Sequence, residues 1–295
     1  MRLTATVLIC LISMNLAAQP IKVASWNIEW LSTHESKDIK QSLRSEQDFD
    51  KLADYFEKLD SEILAFQEVN DVTAIRKVVG NDYHVFFSDR IDVPSKIFDN
   101  INQFTGFAID KSFSVTDPND IDLLPNQRHK LRFATYVIIE REDLSEPVHL
   151  LSVHLKARCM GARKNSRDCD QLAMQSKALN LWQQERQKKG QPYVILGDFN
   201  HNLSFKGDWF YALLTEGLAK PPYLASKHTS ADCLVRSNRN PKRTHQFRSV
   251  IDHILVSADL TASPSKQLVF DKTDVVNYQL SDHCPIYSTL TPSNR

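Results

Sequence analysis

The chain has 295 residues, of which 42% are hydrophobic, and it carries 36 basic and 36 acidic side chains. This length and hydrophobic share are ordinary for a globular protein and suffice for one large α/β domain or two small ones. The balanced charge excludes a partner selected by an overall basic or acidic surface, so any anion site must arise from a local cluster.

The N-terminal residues 1–18 have the pattern of a secretory signal peptide. Arg2 gives a positive start, residues 7–16 are mostly apolar, and Ala17 and Ala18 are small residues suited to a cleavage site. We therefore expect an exported protein, periplasmic or secreted, whose mature domain is residues 19–295. No other apolar run is long enough to span a bilayer, so we expect no stable membrane anchor.

In chain order, the first half of the sequence alternates short apolar runs with amphipathic segments. The predicted elements are a strand at 21–26, a helix at 46–59, a strand at 63–66, a helix at 72–79, and strands at 83–87 and 106–109. The helix at 46–59 is predicted from an apolar stripe that repeats at helical spacing, formed by Phe49, Leu52, Ala53, Phe56 and Leu59.

The second half begins with a predicted hairpin, in which strands at 131–140 and 148–153 flank a turn at 141–147. There follow a helix at 170–186, a strand at 193–201, a short helix at 209–214, a stretch of mostly loop at 216–248, and strands at 250–256 and 285–290. No repeat or linker interrupts this order, so we expect one domain. Strands alternate with helices and hairpins are mixed in, which predicts an α/β layered architecture with mixed sheets.

After removal of the signal peptide, the remaining cysteines are Cys159, Cys169, Cys233 and Cys284. An even number in an exported protein favours disulfides, and four cysteines allow three pairings. A zinc site is the alternative, although no Cys-x-x-Cys pair is present. Composition therefore predicts disulfides without assigning their partners.

The stretch 193–201 combines a buried strand with polar chemistry. Asp198 and Asn200 follow the apolar run 194–196, and on an extended chain residues two apart share a face. A carboxylate beside a carboxamide suits work on water or phosphate, because one group accepts a proton and the other donates a hydrogen bond to an anion. The alternative is a turn capped by Asp and Asn.

Further polar residues stand at or next to the ends of predicted strands. Each has a structural interpretation alone, such as a turn, a helix cap or a satisfied core histidine. Together they predict a ligand site, because ligands of α/β sheets bind at strand ends. The set is Asn27, Glu29, Glu68, His154, Asp198, Asn200, Asp252, Asp282 and His283.

Six short motifs carry most of these residues, in the order Trp26-Asn27-Ile28-Glu29-Trp30-Leu31, Phe66-Gln67-Glu68-Val69, Ser152-Val153-His154-Leu155, Gly197-Asp198-Phe199-Asn200, Ile251-Asp252-His253-Ile254 and Ser281-Asp282-His283-Cys284-Pro285. In this order they resemble the motifs of the endonuclease/exonuclease/phosphatase superfamily, over about residues 21–290. That superfamily includes deoxyribonuclease I-like nucleases, abasic-site endonucleases, sphingomyelinases and inositol polyphosphate phosphatases. The resemblance implies a four-layer sandwich of two packed mixed sheets flanked by helices, with the site at one end of the sheets.

The resemblance also implies a metal-dependent phosphodiester hydrolase. Mg²⁺ prefers oxygen ligands and keeps several waters, and Mn²⁺ can stand in its place. Glu68 is implied as the principal ligand, with Glu29, Asn27 and Asp282 near the metal or the phosphate. A matching set of residues on a non-catalytic binding module is a third interpretation, but each aligned catalytic position except one has a competent side chain.

The implied catalytic groups are a carboxylate–amide pair, a carboxylate–histidine pair and a second histidine. Asp198 and Asn200 would position the attacking water, and Asp252 would orient His283 through one ring nitrogen. Whether His283 or Asp198 is the general base stays open at this point. His154 resembles a second histidine that protonates the leaving oxygen.

Two more residues are placed by the resemblance. Gln103 falls where deoxyribonucleases have a glutamate that orients the second histidine, and glutamine would not stabilise an imidazolium by charge. Arg132 resembles a phosphate-binding arginine on the strand before the hairpin turn, with a solvated strand-edge charge as the alternative.

Two basic loops adjoin the motifs. One follows His154 and the other leads to Asp252, and a polyanion backbone would be bound by basic side chains without sequence preference. A nuclease acting on DNA or RNA is therefore the leading hypothesis, and a monomer is expected. The loop residues are Arg158, Arg163, Lys164, Arg167, Arg236, Arg239, Lys242, Arg243, His245 and Arg248.

The rival hypothesis is a secreted sphingomyelinase or related phospholipase. Such an enzyme needs an exposed apolar segment that contacts a membrane, and the nearest candidate is Trp209-Phe210-Tyr211. Core packing accounts for that segment equally well.

Disulfide partners follow from the resemblance together with chain proximity. Cys159 and Cys169 flank a short basic loop, so we predict that they pair. Cys284 follows His283, and Cys233 begins the segment that leads to Asp252. If Asp252 and His283 touch, as the resemblance implies, Cys233 and Cys284 are brought together. A buried free thiol at Cys284 is the alternative.

Overall fold

The structure is a computed structural model that describes residues 19–237, 240 and 242–292. The predicted signal peptide and Arg239 lie outside these described residues. The strands in the described part are β1 Ile21–Leu31, β2 Ile63–Val69, β3 Tyr83–Phe87, β4 Phe104–Asp110, β5 Ser114–Thr116, β6 Thr135–Glu140, β7 Val148–His154, β8 Tyr193–Asp198, β9 Tyr223–Leu224, β10 Leu234–Arg236, β11 Thr244–Gln246, β12 Asp252–Val256, β13 Leu260–Ala262, β14 Lys266–Gln267 and β15 Ile286–Pro292. The helices are α1 Glu46–Leu59, α2 Val72–Val79, α3 Arg167–Lys188, α4 Trp209–Thr215 and α5 Lys272–Asn277.

Two large mixed sheets contain most of these strands. The first has the order β13-β15-β1-β2-β4-β3, with β14 paired to β15, and the second has the order β5-β6-β7-β8-β12-β9. The pairs β1–β2 and β7–β8 are parallel, and the neighbouring pairs are antiparallel. Strands β10 and β11 form a separate small hairpin.

The two sheets lie face to face, and helices cover the outer face of each sheet. Because successive side chains of a strand point to opposite faces, apolar residues fill the three spaces between these four layers. In β1, Val23 lies in the core between the two sheets, while Ala24 and Trp26 face helices α1, α2 and α5. In β8, Leu196 faces the first sheet and Ile195 faces α3 and α4. The predicted four-layer sandwich of two packed mixed sheets flanked by helices is therefore confirmed.

The predicted elements were largely right in type and less exact in extent. The strand predicted at 131–140 begins only at Thr135, because its partner β7 ends at His154 and Thr135 already pairs with Ser152. The stretch 216–248 contains β9, a 3₁₀ turn at Ala225–His228 and the β10–β11 hairpin. The short elements β5, β13, β14 and α5 were not predicted, since none has enough residues for a periodic pattern.

A polar layer connects the two sheets just below their shared edge. Gln67 of β2 donates to Ser152 Oγ of β7 at 3.1 Å and accepts a hydrogen bond from Ser25 Oγ of β1 at 3.3 Å. All three side chains are buried, and Ser152 Oγ also donates to Phe66 O at 3.2 Å. If one sheet slid over the other, these buried polar groups would lose their partners. The hydrogen bonds therefore favour one relative placement of the two sheets.

Both disulfides are the pairs expected from the sequence. Cys159 and Cys169 are joined across a span of 10 residues, and Cys233 and Cys284 across a span of 51. Stable disulfides form in oxidising compartments, so the two bridges indicate a non-cytosolic protein. Within the described residues no helix is long and apolar enough to cross a membrane.

A buried cluster on the outer face of the second sheet links α3 to β6 and β7. Arg186 Nη1 donates to Tyr136 Oη at 2.8 Å and approaches His149 Nδ1 at 3.2 Å. Tyr136 Oη is also hydrogen-bonded to His149 Nδ1. Burial, followed by the charges of Arg186 and Lys189, lowers the pKa of His149 to about 4. The ring is therefore neutral in the folded protein at neutral pH.

This cluster predicts a loss of stability in acid. An unfolded His has a pKa of about 6.5, whereas the pKa of folded His149 is about 4. Between these two pH values His149 is protonated in the unfolded chain but neutral in the folded protein, which favours unfolding. Lowering the pH from about 7.5 to about 5 should reduce the free energy of unfolding by about 1–2 kcal/mol through this residue. Urea titrations at both pH values should show a smaller pH effect for His149→Gln. The exposed His84→Gln serves as the control, and an equal pH effect in His149→Gln would contradict the assignment.

Candidate active site

The candidate site lies where the inward-facing strand positions change from apolar to polar. In β8, Val194 and Leu196 belong to the inter-sheet core and Asp198 occupies the next inward position. The same alternation leads to Asn27 in β1 and to His154 in β7. Because these strands end at one edge of the sandwich, their last inward side chains meet above the polar layer.

Asp198 is the most enclosed carboxylate of the site, with 1% of its surface exposed. Its oxygens accept hydrogen bonds from Asn200 N at 2.7 Å, Asn27 Nδ2 at 3.0 Å and Asn200 Nδ2 at 3.2 Å. The predicted proximity of Asp198 and Asn200 is present, but its predicted cause was wrong. The strand ends at Asp198 and Asn200 has φ 52°, so a turn, and not an extended chain, brings the two together.

Gly197 allows the second sheet to close tightly at this point. A Cβ atom on Gly197 would lie 2.0 Å from the carbonyl oxygen of Val153 in β7, and the φ of Gly197 is 149°. Only glycine fits both constraints, which is why this residue directly precedes Asp198.

Left-handed backbone is concentrated at the site. Two of the strands that form it are irregular near their ends, since the β1–β2 register shifts between Asn27 and Leu31 and the β2–β4 register between Phe66 and Val69. Positive φ is uncommon outside glycine and gathers at functional sites. The site residues with positive φ are Glu29 at 39°, Trp30 at 55°, Glu68 at 60° and Asn200 at 52°.

Arg44 supports the irregular part of β1 and was not identified from the sequence. Its buried Nη2 donates to the carbonyl oxygens of Ile28 at 3.1 Å, Glu29 at 2.8 Å and Leu280 at 2.6 Å. These contacts connect β1 to the segment before β15. No local signal pointed to this role, because the partners are distant in sequence.

Contacts between the two sheets pass through Asn27, Glu68 and His154. Asn27 Nδ2 donates to Glu68 Oε1 at 3.2 Å as well as to Asp198, and Asn27 Oδ1 accepts from Glu29 N at 3.0 Å. His154 Nε2 lies 3.6 Å from Glu68 Oε1 and 3.4 Å from Asp198 Oδ2. Asn27, predicted near the metal or phosphate, therefore uses both ends of its amide to hold protein groups.

His283 and Asp252 form the shortest ion-pair contact of the site. His283 Nδ1 lies 2.7 Å from Asp252 Oδ2, while Nε2 lies 3.9 Å from Asp198 Oδ2 and 3.8 Å from Asp282 Oδ1. Burial opposes a charged ring, but Asp252, Asp282 and Asp198 outweigh it and raise the pKa of His283 well above its ordinary value. His283 is therefore a cation that points Nε2 into the site.

His154, unlike His283, is neutral. Burial, then the nearby charges of Arg132, His283 and Arg90, lowers the pKa of His154 well below its ordinary value. Its Nδ1 is buried and has no hydrogen-bond partner within the described residues. The expected contact with Gln103 is therefore not made, and His154 is a neutral ring whose Nε2 faces the carboxylates.

The carboxylates of the site repel each other and are poorly solvated. Burial, then the charge of Asp282, raises the pKa of Glu29 to about 8, and burial and Asp282 also raise the pKa of Glu68. Burial is the main cause that raises the pKa of Asp198 to about 7, although His283 opposes it. Such a set of hard oxygen donors is suited to a divalent cation.

These side chains suit a cation that has one or two protein ligands and is otherwise hydrated better than a cation enclosed by protein ligands. Within the described residues, no three His, Cys, Asp or Glu side chains converge as a ready metal cluster. Mg²⁺ characteristically takes one or two carboxylates and keeps its remaining waters. Glu68, Glu29 and the partly exposed Asp282 are the side chains that could supply such ligands.

Arg132 reaches the site from a different place than predicted. It lies before β6, and its guanidinium donates to His154 O at 3.1 Å and Leu155 O at 2.6 Å. Glu68 and Asp198 act electrostatically on it, partly offsetting the burial that lowers the pKa of Arg132. It is thus a half-buried cation at the site, and not a strand-edge charge in solvent.

The loop between β7 and α3 carries the first group of predicted phosphate-binding residues. Arg158, Arg163 and Lys164 are exposed, and the first has φ 73°. Arg163 lies 3.2 Å from Asp170 Oδ1 and 5.7 Å from the ring of Trp209. Arg158 and Lys164 are the more available cations of this loop.

The second basic loop is the β10–β11 hairpin and the segment after it. Lys242 and Arg243 are exposed in its turn, whereas Arg236 donates to the carbonyl oxygens of Val275, Val276 and Tyr278. The two loops meet beside the site, because a cavity of about 140 Å³ is lined from one side by Met160 and from the other by Phe247, Arg248, Asp252 and His283.

Comparison with known proteins supports a single fold family. The model of the Endonuclease/Exonuclease/phosphatase family matches residues 24–283. Similar solved structures include an endonuclease/exonuclease/phosphatase from Bacteroides vulgatus, with 15% identity, a TM-score of 0.66, and 94% of this chain and 100% of that chain covered. No curated protein matches the chain significantly.

Two further similar structures are of proteins with a named activity or a bound ligand. The mannosyl-6-phosphatase Bt3783 of Bacteroides thetaiotaomicron is 15% identical with a TM-score of 0.62, over 92% of this chain and 99% of that chain. TDP2 of D. rerio, complexed with a single-strand DNA product, is 17% identical with a TM-score of 0.59, over 92% of this chain and 99% of that chain. At these identities the likeness concerns the fold.

Proposed function

The chain belongs to the endonuclease/exonuclease/phosphatase family of phosphate-ester hydrolases, and we propose that it is an exported, metal-dependent nuclease that hydrolyses the phosphodiester bonds of DNA or RNA. One observation carries the proposal. Asp198 lies between two histidine rings, with His154 Nε2 at 3.4 Å and His283 Nε2 at 3.9 Å.

This arrangement supports the following proposed role for each group. Asp198 accepts the proton of the attacking water, because its raised pKa makes it a stronger base than an ordinary carboxylate. Cationic His283, held by Asp252, stabilises the negative charge that develops on the phosphate oxygens. Neutral His154 donates a hydrogen bond through Nε2 to the leaving oxygen.

A bound Mg²⁺ or Mn²⁺ would neutralise the phosphate and stabilise the leaving alkoxide. Glu68 would be its principal ligand, with Glu29 and Asp282 beside it. Asn27 and Asn200 would keep the carboxylates oriented, since their amides donate to Glu68 and Asp198.

A polyanionic substrate is favoured by the surface around the site. Exposed Arg158, Lys164, Lys242 and Arg243 lie on two loops that meet at the cavity beside His283. D. rerio TDP2, which shares the fold, is complexed with a single-strand DNA product. The two disulfides and the pattern of residues 1–18 support export.

The sphingomyelinase alternative requires an exposed apolar segment, and the candidate segment Trp209-Phe210-Tyr211 is packed against the protein. Phe210 is fully buried in α4, and Trp209 Nε1 donates to Gly161 O at 2.8 Å. These residues pack the loop that holds the Cys159–Cys169 bridge and do not form an apolar membrane-contacting tip.

The test uses the purified mature protein with the diester bis(p-nitrophenyl) phosphate, the monoester p-nitrophenyl phosphate, plasmid DNA, RNA and sphingomyelin, each with Mg²⁺ and with chelator. We expect metal-dependent hydrolysis of the diester and of at least one nucleic acid. Nucleic-acid cleavage should weaken steeply as salt rises, because phosphate contacts release counterions. Turnover of sphingomyelin alone, or of phosphomonoesters alone, would overturn the proposal.

The His283–Asp252 pair predicts strongly non-additive kinetics. Asp252→Asn is expected to lower kcat by about a hundredfold, because His283 loses the partner that keeps it charged and oriented. The double variant with His283→Gln should be little slower than either single variant, since the two residues act as a unit. Steady-state rates on bis(p-nitrophenyl) phosphate provide the measurement. Multiplicative losses, or a wild-type rate in Asp252→Asn, would show that the pair is not functional.

A further inference from the structure

A second cavity, separate from the one beside His283, opens next to Arg132. It has a volume of about 350 Å³, and its walls include four cationic side chains and two aromatic ones but no carboxylate. In a chain with equal numbers of acids and bases, such a lining is a local excess of positive charge. The residues that matter here are Trp30, Arg90, Phe98, Lys130, Arg132 and Arg167.

Arg90 is the unusual member of this lining. It is 1% exposed, and it donates to the carbonyl oxygens of Lys96 at 2.7 Å, Gln103 at 3.0 Å and Lys130 at 3.4 Å. Its guanidinium also lies 4.6 Å from the ring centre of Phe104, and among the described residues its Nε has no hydrogen-bond partner. Arg90 is therefore held in place by the protein, and together with Arg132 it gives the cavity a positive potential that favours an anionic ligand.

The cavity adjoins the reacting groups. Arg132, which lines it, donates to the carbonyl oxygens of His154 and Leu155. Trp30 directly follows Glu29 in the irregular part of β1. A substrate whose scissile phosphate lies at Asp198 can therefore extend into this cavity with its next unit.

The walls of the cavity are held before any ligand arrives. His129 Nε2 and Lys96 Nζ both contact Asp122, at 3.1 and 2.8 Å, and His129 Nδ1 accepts from Leu131 N at 3.0 Å. On the opposite wall, Asn102 exchanges two hydrogen bonds with the backbone of Phe98, at 2.9 and 2.8 Å. Preformed walls lower the ordering cost of binding.

The aromatic residues give the cavity a flat apolar surface as well as charge. Phe98 is 51% exposed, and Lys130 Nζ lies 4.9 Å from its ring centre. Trp30 is half-buried in left-handed backbone at φ 55°, a conformation that a bulky residue adopts only where its surroundings enforce it. A planar ring attached to an anion would satisfy both kinds of side chain.

We propose that this cavity is a subsite for the nucleotide next to the scissile bond, binding its phosphate on exposed Lys130 and Arg167, with the charge of buried Arg90 behind them, and its base against Phe98 and Trp30. This rests on the proposed nuclease function and adds a requirement to it. A second phosphate, one unit from the bond that is cleaved, should be recognised by the protein itself. Replacing this phosphate by a neutral group should therefore lower the affinity.

Equilibrium binding in EDTA tests the subsite without turnover and without metal. The probes are three thymidine dinucleotides, with a terminal 5′-phosphate, with a terminal 3′-phosphate and with none. One of the phosphorylated probes should bind wild-type protein about tenfold more tightly than the unphosphorylated one, as expected for charge-assisted phosphate contacts.

The double variant Lys130→Gln/Arg167→Gln should lose most of that advantage, and both residues are exposed, so folding should be preserved. The double variant Lys111→Gln/Lys188→Gln removes the same charge from exposed positions at the far ends of β4 and α3 and should keep the advantage. Phe98→Ala should weaken all three probes by about fivefold, because it removes stacking and leaves the cations in place.

Equal binding of all three probes to wild-type protein would overturn the subsite, as would an advantage that survives in Lys130→Gln/Arg167→Gln. Indifference to Phe98→Ala would remove the base-binding part. The nuclease proposal is tested separately, because it would be contradicted if the wild-type enzyme with Mg²⁺ did not hydrolyse diesters.

Discussion

Replacing Asp198 by asparagine is expected to lower kcat by about a thousandfold or more, the largest effect of any single change at the site. The carboxylate is enclosed by three donors and two histidines, so the variant loses the base while keeping nearly the same volume. Steady-state hydrolysis of bis(p-nitrophenyl) phosphate with saturating Mg²⁺ measures the loss.

The control for this variant is Asp274→Asn, because Asp274 also accepts a hydrogen bond, from Tyr55 at 2.8 Å, but lies in α5 outside the site. It should keep near wild-type turnover. Thermal denaturation of both variants separates lost chemistry from lost folding. A rate in Asp198→Asn within about tenfold of wild type would assign the base elsewhere, with His283 as the next candidate.

Exhaustive chelation is expected to reduce hydrolysis to background, and Mg²⁺ or Mn²⁺ should restore it. The reason is electrostatic, because Glu29 and Glu68 have raised pKa values from burial and from the charge of Asp282, and a cation relieves that repulsion. Glu68→Gln removes the principal proposed ligand and should lose most of the activity even at high metal concentration.

Metal binding should also be visible without turnover. A ligand that binds only the folded state stabilises it by about 2.7 kcal/mol at a hundred times its Kd, so Mg²⁺ should raise the melting temperature of wild-type protein. Glu68→Gln should lose that response, whereas Glu62→Gln at the opposite end of β2 should keep it. Full turnover in chelator would refute the metal requirement.

Alternation along strands made much of the fold and the site predictable. The pattern that buries Val194 and Leu196 also directs Asp198 inward, and the same reasoning holds for His154 at the end of β7. Short motifs in a fixed order then identified which strand ends belong together. These features are local in sequence, so a single sequence contains them.

The features that sequence reasoning missed depend on distant partners or on departures from regular backbone. Arg44 and Arg90 act on carbonyl groups supplied by several segments, and neither stands in a recognisable pattern. Asn200 reaches Asp198 through left-handed backbone, which an extended-strand argument does not foresee. The Gln103 placement was wrong because no local rule defines which loop residue faces the His154 ring.

The proposed catalytic groups are divided between the two sheets, with Asn27 and Glu68 on one and His154, Asp198 and Asp252 on the other. Neither half of the sandwich can therefore act alone. During refolding, secondary structure measured by circular dichroism should return before hydrolysis does, because the sheets must first dock through Gln67 and Ser152. If the proposed nuclease activity is correct, the chain should acquire it only after the two sheets have docked.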